Sequence, residues 1–249
     1  MRVVRVLTDE DVRYGLADDD TITLISDEPF ASYELDGTLV LSEARLLAPV
    51  IPTKIVAVGL NYRMHAEEMG EALPERPLIF LKPPTSLNGP DAEVRIPAGL
   101  DEIDYEGELA VIIGRRTRAV SVASAMSHVL GYSCGNDVTA RQYQRADGQW
   151  TRAKGFDGFC PVGPWVENDV DPSDLAIETY VNGERRQAAR TSDMIFPVPE
   201  LVSFISHVMT LLPGDIVLTG TPSGVGPMRT GDTVEVRIED VGSLVNHVV

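Results

Sequence analysis

The chain has 249 residues, 43% hydrophobic and 24% charged, with a formal net charge of -17 from 21 Lys and Arg against 38 Asp and Glu. That length suits one large domain or a main domain with a small annex, and so acidic a surface repels phosphate backbones and anionic lipid, which argues against nucleic-acid or membrane partners. No apolar stretch reaches the length of a membrane span, the N-terminal apolar run is too short for a signal peptide, and Cys134 and Cys160 form no CxxC pair, so a cytoplasmic protein with two buried thiols is expected, without a zinc site or a disulfide framework.

Along the chain, residues 1–50 read as short strands, "RVVRVL", "TITLIS" and "TLVLS", broken by acidic turns such as "ADDD" and "LDGT". They predict a small N-terminal β domain ahead of a main domain over 51–249. "IPTKIVAVGL" is a buried-strand run. "NYRMHAEEMGEALPERP" after it is polar, helix-prone and poor in large apolar side chains, which predicts a lid helix over about 61–76. From "PLIFLKPPTSL" onward, strands such as "ELAVIIG", "VLGYSCGNDV", "LAIETYVNG", "DIVLTG" and "DTVEVRIEDVG" are joined by Gly and Pro turns. Two segments with helical apolar spacing, "SVASAMSHVL" and "PVPELVSFISHVMTLL", interrupt them. The pattern predicts a β-dominated α+β fold without internal repeats or a linker after about residue 50.

The stretch "DYEGELAVIIG" sets Asp104, Glu106 and Glu108 two apart, so on a continuous strand all three would share one face. Carboxylates stacked in this way repel one another. Two readings stand: a solvated or charge-protected edge strand, or a site for a hard divalent cation such as Mg²⁺ or Mn²⁺, which takes oxygen ligands and retains waters. In "GYSCGNDVTARQYQ" a further acid, Asp137, sits where a strand gives way to a helix or loop. Its local alternative is a helix cap or turn former. Two carboxylates from one strand and one from a neighbouring strand end would make a three-oxygen face with open positions for water and substrate.

Over residues 52–249, the ordered motifs "VGLNYRMHAEE", "FLKP", "DYEGELAVIIG", "GYSCGNDVTARQYQ", "KGFDGFCPVGP", "VNGERRQ", "LLPGDIVLTGTPSGVGP" and "GDTVEVRIEDVGSLVN" resemble the fumarylacetoacetate hydrolase family. The resemblance is greatest to its bacterial hydroxyheptadienedioate isomerase, oxopentenetricarboxylate decarboxylase and acylpyruvase branch. It implies a β-rich roll of mixed sheets with a few flanking helices, and a homodimer. It also implies one Mg²⁺ or Mn²⁺ per subunit on Glu106, Glu108 and Asp137, which leaves Asp104 outside the ligand set. The family's lid pair falls on His65 and Glu68. Three residues apart on a helix, they share a face, so Glu68 can orient the imidazole and raise its basicity while Glu67 faces elsewhere. By resemblance Lys154 points at the substrate, Arg141, Gln144 and Lys82 contact it, and Thr221 of "TGTPSGVG" closes on its carboxylate. Gly158 departs from the small hydroxyl residue common there. "TGTPSGVG" lacks the Gly-Lys-Ser/Thr ending of a phosphate loop, so a nucleotide is not expected.

The reaction implied is cleavage or isomerisation of a 2-oxo dicarboxylic acid or acylpyruvate through a stabilised enolate: hydrolysis, decarboxylation or a proton shift. Dehydration of a 2-keto-3-deoxy sugar acid is an alternative within the family. A non-catalytic protein that binds a metal and a carboxylate is another, though it gives the lid pair no purpose.

Overall fold

The computed structural model describes residues 1–9 and 11–249. Its largest sheet runs in the order Leu35–Val40, Thr21–Ile25, Val12–Asp18, Arg2–Leu7, Cys160–Glu167, Val129–Asn136, Gly107–Ile113, Ile216–Leu218, Ile55–Gly59 and Leu78–Lys82. The Gly107–Ile113 strand is buried along its whole length. Leu109, Val111 and Ile113 face one core, made with Leu201, Val202 and Ile205 of the Val198–Val208 helix and with Ile177, Val236 and Ile238 of a second sheet. Ala110 and Ile112 face another, with Ile55, Ala57, Val162, Ile216 and Leu218. Burial on both faces explains why "LAVII" reads as a continuous apolar run instead of an alternation.

The second sheet has the order Glu184–Arg190, Ala176–Val181, Thr233–Ile238, Gly242–Val248 and Glu93–Val94. A small third sheet joins Thr139–Ala140, Ile103–Tyr105 and Gly226–Pro227. Mixed sheets with few helices are the architecture that the sequence predicts. No helix among the described residues is long and apolar enough to cross a membrane.

Two local features differ from expectation. Val12–Asp18 is a strand that periodicity misses, because Arg13 and Gly15 blur its alternation; pairing along both edges, with Arg2–Leu7 and Thr21–Ile25, holds it extended. The helix expected in "SVASAMSHVL" is confined to Val122–Ala125 and a 3-10 turn at Met126–His128. Val129 already belongs to a strand, claimed by pairing with Ile113. The N-terminal strands have a cluster of their own, Val4, Val6, Ala17, Ile22 and Leu24, and adjoin the main sheet where Arg2 and Val3 pair antiparallel with Glu167 and Val166, Val3 packing with Ala110 and Ile112.

Candidate active site

The three acids of "DYEGE" do not lie on one strand. Ile103–Tyr105 pairs into the small sheet and Gly107–Ile113 into the large one, with Glu106 at the break between them. Asn136 and Asp137 hold that break. The Glu106 amide donates to Asn136 Oδ1 at 2.9 Å and the Asp137 amide donates to the Glu106 carbonyl at 2.9 Å. The kink carries Asp137 in beside the glutamates, so that one oxygen from each of Glu106, Glu108 and Asp137 lies within 4.8 Å of the others, all of them buried. Asp104 is turned aside, its Oδ2 accepting from Arg141 Nε at 2.6 Å.

Buried carboxylates at this spacing need compensating charge. Lys154 Nζ donates to Glu106 Oε2 at 2.8 Å, Asp137 Oδ2 at 2.6 Å and Thr139 Oγ1 at 2.7 Å. Arg141 Nη2 reaches Glu106 Oε1 at 2.6 Å, and Lys82 pairs with Asp137 Oδ1. Glu108 is left with the Gly220 amide, at 2.7 Å. The result is a divergence between neighbours. Burial, then Asp137 and Glu106 opposite, push the Glu108 carboxyl well above its ordinary range. For Glu106 burial also works upward, but Lys154 and Arg141 outweigh it and hold the group at about 2. An all-oxygen donor set in which one carboxylate makes no direct ion pair among the described residues fits a hard divalent cation.

Above this floor stands the lid, shorter than the predicted 61–76: the helix is Arg63–Met69. Gly70 ends it in the left-handed region at φ 69°, where glycine carries no Cβ penalty, and Pro74 and Pro77 discourage its resumption. Asn61, fully buried, ties the helix start down. Its Nδ2 donates to the carbonyls of Phe196 (3.0 Å) and Thr219 (2.7 Å), and its Oδ1 accepts from the Phe196 amide (2.9 Å). His65 is buried, and its Nδ1 lies 3.1 Å from Glu68 Oε2. The other oxygen of Glu68 accepts from the Gly224 amide at 3.0 Å. Glu67 is exposed.

Between floor and lid lies a cleft of about 230 Å³. Of the residues singled out from the sequence, His65, Glu106, Glu108, Asp137, Arg141, Gln144, Lys154 and Thr221 line it. Glu68 stands behind His65. Two expected substrate contacts are committed elsewhere: Gln144 Oε1 accepts from Arg141 Nη1 at 2.8 Å, and the Thr221 hydroxyl donates to the Gly107 carbonyl at 2.9 Å. Lys82 does not reach the cleft. It lies in the core behind Asp137, because the inward face of the Leu78–Lys82 strand delivers it there. Sequence reasoning missed Asn61 and Asn136, the two amides that hold lid and floor. It also missed Phe80 and Trp150, which form an aromatic wall edge to face at 5.1 Å. A polar amide beside each proposed functional motif was the available signal.

Residues 54–249 match the family model described as "Fumarylacetoacetate (FAA) hydrolase C-terminal". The chain belongs to the fumarylacetoacetate hydrolase family. Residues 1–49 of this fumarylacetoacetate hydrolase family enzyme match a model described as "Rv2993c-like, N-terminal". Among solved structures it is similar to 5-carboxymethyl-2-hydroxymuconate delta-isomerase from Mycobacterium smegmatis, at 46% identity and TM-score 0.94 over 100% of this chain and 99% of that one. It is similar as well to maleylpyruvate hydrolase from Sphingobium sp. SYK-6, solved in complex with manganese(II) and pyruvate, at 32% identity and TM-score 0.84 over 100% and 99% of the two chains. The bovine mitochondrial oxaloacetate tautomerase FAHD2B is 42% identical over 221 residues, covering 84% of this chain and 70% of that protein.

Proposed function

We propose that this family member is a divalent-metal-dependent enzyme acting on acylpyruvates or 2-oxo dicarboxylic acids, breaking the C3–C4 bond by hydrolysis or decarboxylation. The observation that carries the proposal is the convergence of Glu106, Glu108 and Asp137, with Glu108 in no direct ion pair among the described residues, beneath a lid histidine. These three residues would hold Mg²⁺ or Mn²⁺. When bound, such an ion supplies Lewis-acid stabilisation of negative charge on the oxygen at C2. Lys154 adds fixed positive charge at the same floor. With Nδ1–H donated to Glu68, His65 keeps Nε2 free to accept a proton from water, which attacks a carbonyl at C4; that proton ends on C3 of the departing pyruvate. A carboxylate at C4 leaves instead as CO₂, the bonding pair stays on C3, and C3 takes up one proton from solvent by way of protonated His65. The manganese and pyruvate in the maleylpyruvate hydrolase complex support this reading.

Proton transfer alone is a second reading, supported by the isomerase and tautomerase relatives and by the His65–Glu68 pair, which needs no water to move a proton. The test is turnover of acetylpyruvate, fumarylpyruvate and oxaloacetate with Mg²⁺ or Mn²⁺. EDTA or Glu106→Ala should abolish it. Undiminished turnover in the variant would overturn the metal assignment, and keto-enol exchange of oxaloacetate without CO₂ release would favour the second reading.

A further inference from the structure

The "VNGERRQ" motif contributes no residue to the lining of the cleft, yet it holds an anomaly. In the Glu184–Arg190 strand the one buried residue is a polar one, Gln187, 1% exposed. A half-buried strand would ordinarily put an apolar side chain there. All the hydrogen-bonding groups of this amide are directed at the site. Its Oε1 accepts from the Gly107 amide at 3.0 Å, and its Nε2 donates to Thr221 Oγ1 and to the Pro222 carbonyl, both at 2.8 Å. The Thr221 hydroxyl in turn donates to the Gly107 carbonyl at 2.9 Å, closing a ring.

Gly107 is the residue between Glu106 and Glu108, so the ring holds both the N–H and the C=O of the residue that spaces the two carboxylates. Beside it the loop continues to Gly224, packed so closely on the same strand that a Cβ would come within 2.2 Å of the Arg186 carbonyl. Gly224 is also where Glu68 fastens the lid. One buried amide therefore joins the carboxylate floor to the Thr221 loop, and the strand that carries it packs against Gly224, the seat of the lid.

We infer that Gln187 is a positioning residue that sets the floor carboxylates and the lid anchor in register with each other. Gln187→Glu keeps the shape but turns both donors into acceptors that face Thr221 Oγ1 and the Pro222 carbonyl. The inference rests on the carboxylate cluster being a metal site, so the experiment has two readouts that need no substrate. Mn²⁺ affinity, followed by the electron-spin signal of the free ion, should weaken about tenfold, the order typical of groups that orient metal ligands. Amide hydrogen exchange should lose protection in both 63–69 and 219–226 while the Val129–Asn136 strand keeps it. Should Gln187→Glu fail to fold, Thr221→Val opens the same ring at its other corner and should give the same pattern. A folded variant with unchanged Mn²⁺ affinity and unchanged exchange in both segments, even with a lowered melting temperature, would reduce Gln187 to a packing residue. Wild-type protein that binds no Mn²⁺ defeats the metal reading instead, and the exchange pattern then decides Gln187 alone.

Discussion

The floor of the cleft and its lid are built on opposite terms. Glu106, Glu108 and Asp137 are buried at strand ends, each fixed by a backbone amide, a buried cation or both. The lid is a seven-residue helix with Met64 and Met69 exposed. A helix so short is unstable alone; it persists through Asn61 at its base and the Glu68–Gly224 contact along its flank. The clustered carboxylates thus sit where backbone and cations hold them, and His65, proposed to move the proton, sits on a short helix held by few contacts. Perturbing the floor should disable both parts, whereas perturbing the lid should leave the floor working.

Replacing Glu108 by Ala should make the largest difference, weakening Mn²⁺ binding by more than about 100-fold in titrations, since even groups behind the ligands are typically worth about 10–100-fold. The same carboxyl gives the floor a pH signature. In metal-free protein the folded-state value of Glu108 lies well above 4.5, so the fold retains a proton that the unfolded chain releases. Its stability therefore falls as pH rises above 4.5, until Glu108 itself ionises. Glu106 acts in the opposite sense: held at about 2, it stabilises above 4.5, and that contribution is lost as pH falls towards 2. Mn²⁺ needs Glu108 ionised, so its affinity should climb with pH across the upper window, and a flat profile would contradict the assignment.

On the lid, His65→Ala should lower kcat by about 10²–10⁴-fold, the usual worth of a positioned acid-base group. Mn²⁺ affinity in the same variant should stay within about twofold of wild type; a parallel loss of both would erase the division between floor and lid. Lys82→Met comes next, leaving Asp137 paired with Lys154 alone among the described residues. Urea unfolding of metal-free protein should show a loss of about 3 kcal/mol, typical of a broken buried ion pair. The smallest effect belongs to Glu67→Gln, whose exposed carboxylate should change neither turnover nor stability beyond assay error, with at most about 0.5 kcal/mol at stake.

What could be read from the sequence followed the same division. Strands and turns of the floor were legible because apolar runs and Gly or Pro punctuation are local signals, and motif order pointed to Glu106, Glu108 and Asp137. The break at Glu106 was not: alternate spacing is the same whether one strand continues or two sheets meet, and only pairing partners distant in sequence decide it. Lys82 was misplaced for a similar reason. A lysine in a strand is ordinarily read as solvent-facing or ligand-facing, and its burial depends on Asp137, 55 residues away. Val12–Asp18 is held as a strand by the hairpin partners on either side of it and Val129 by Ile113, pairings that apolar spacing alone does not encode.

The pairing of Arg2–Leu7 with Cys160–Glu167 bears on how the molecule can be cut. Removing the first 50 residues would uncover the backbone groups at Val166 and Glu167, the end of a strand whose residues are almost all buried in the intact chain. Such an edge invites another copy to pair with it. The N-terminal strands therefore cap that end of the main sheet, and a chain trimmed to 54–249 should associate with a second copy there more readily than the intact chain does.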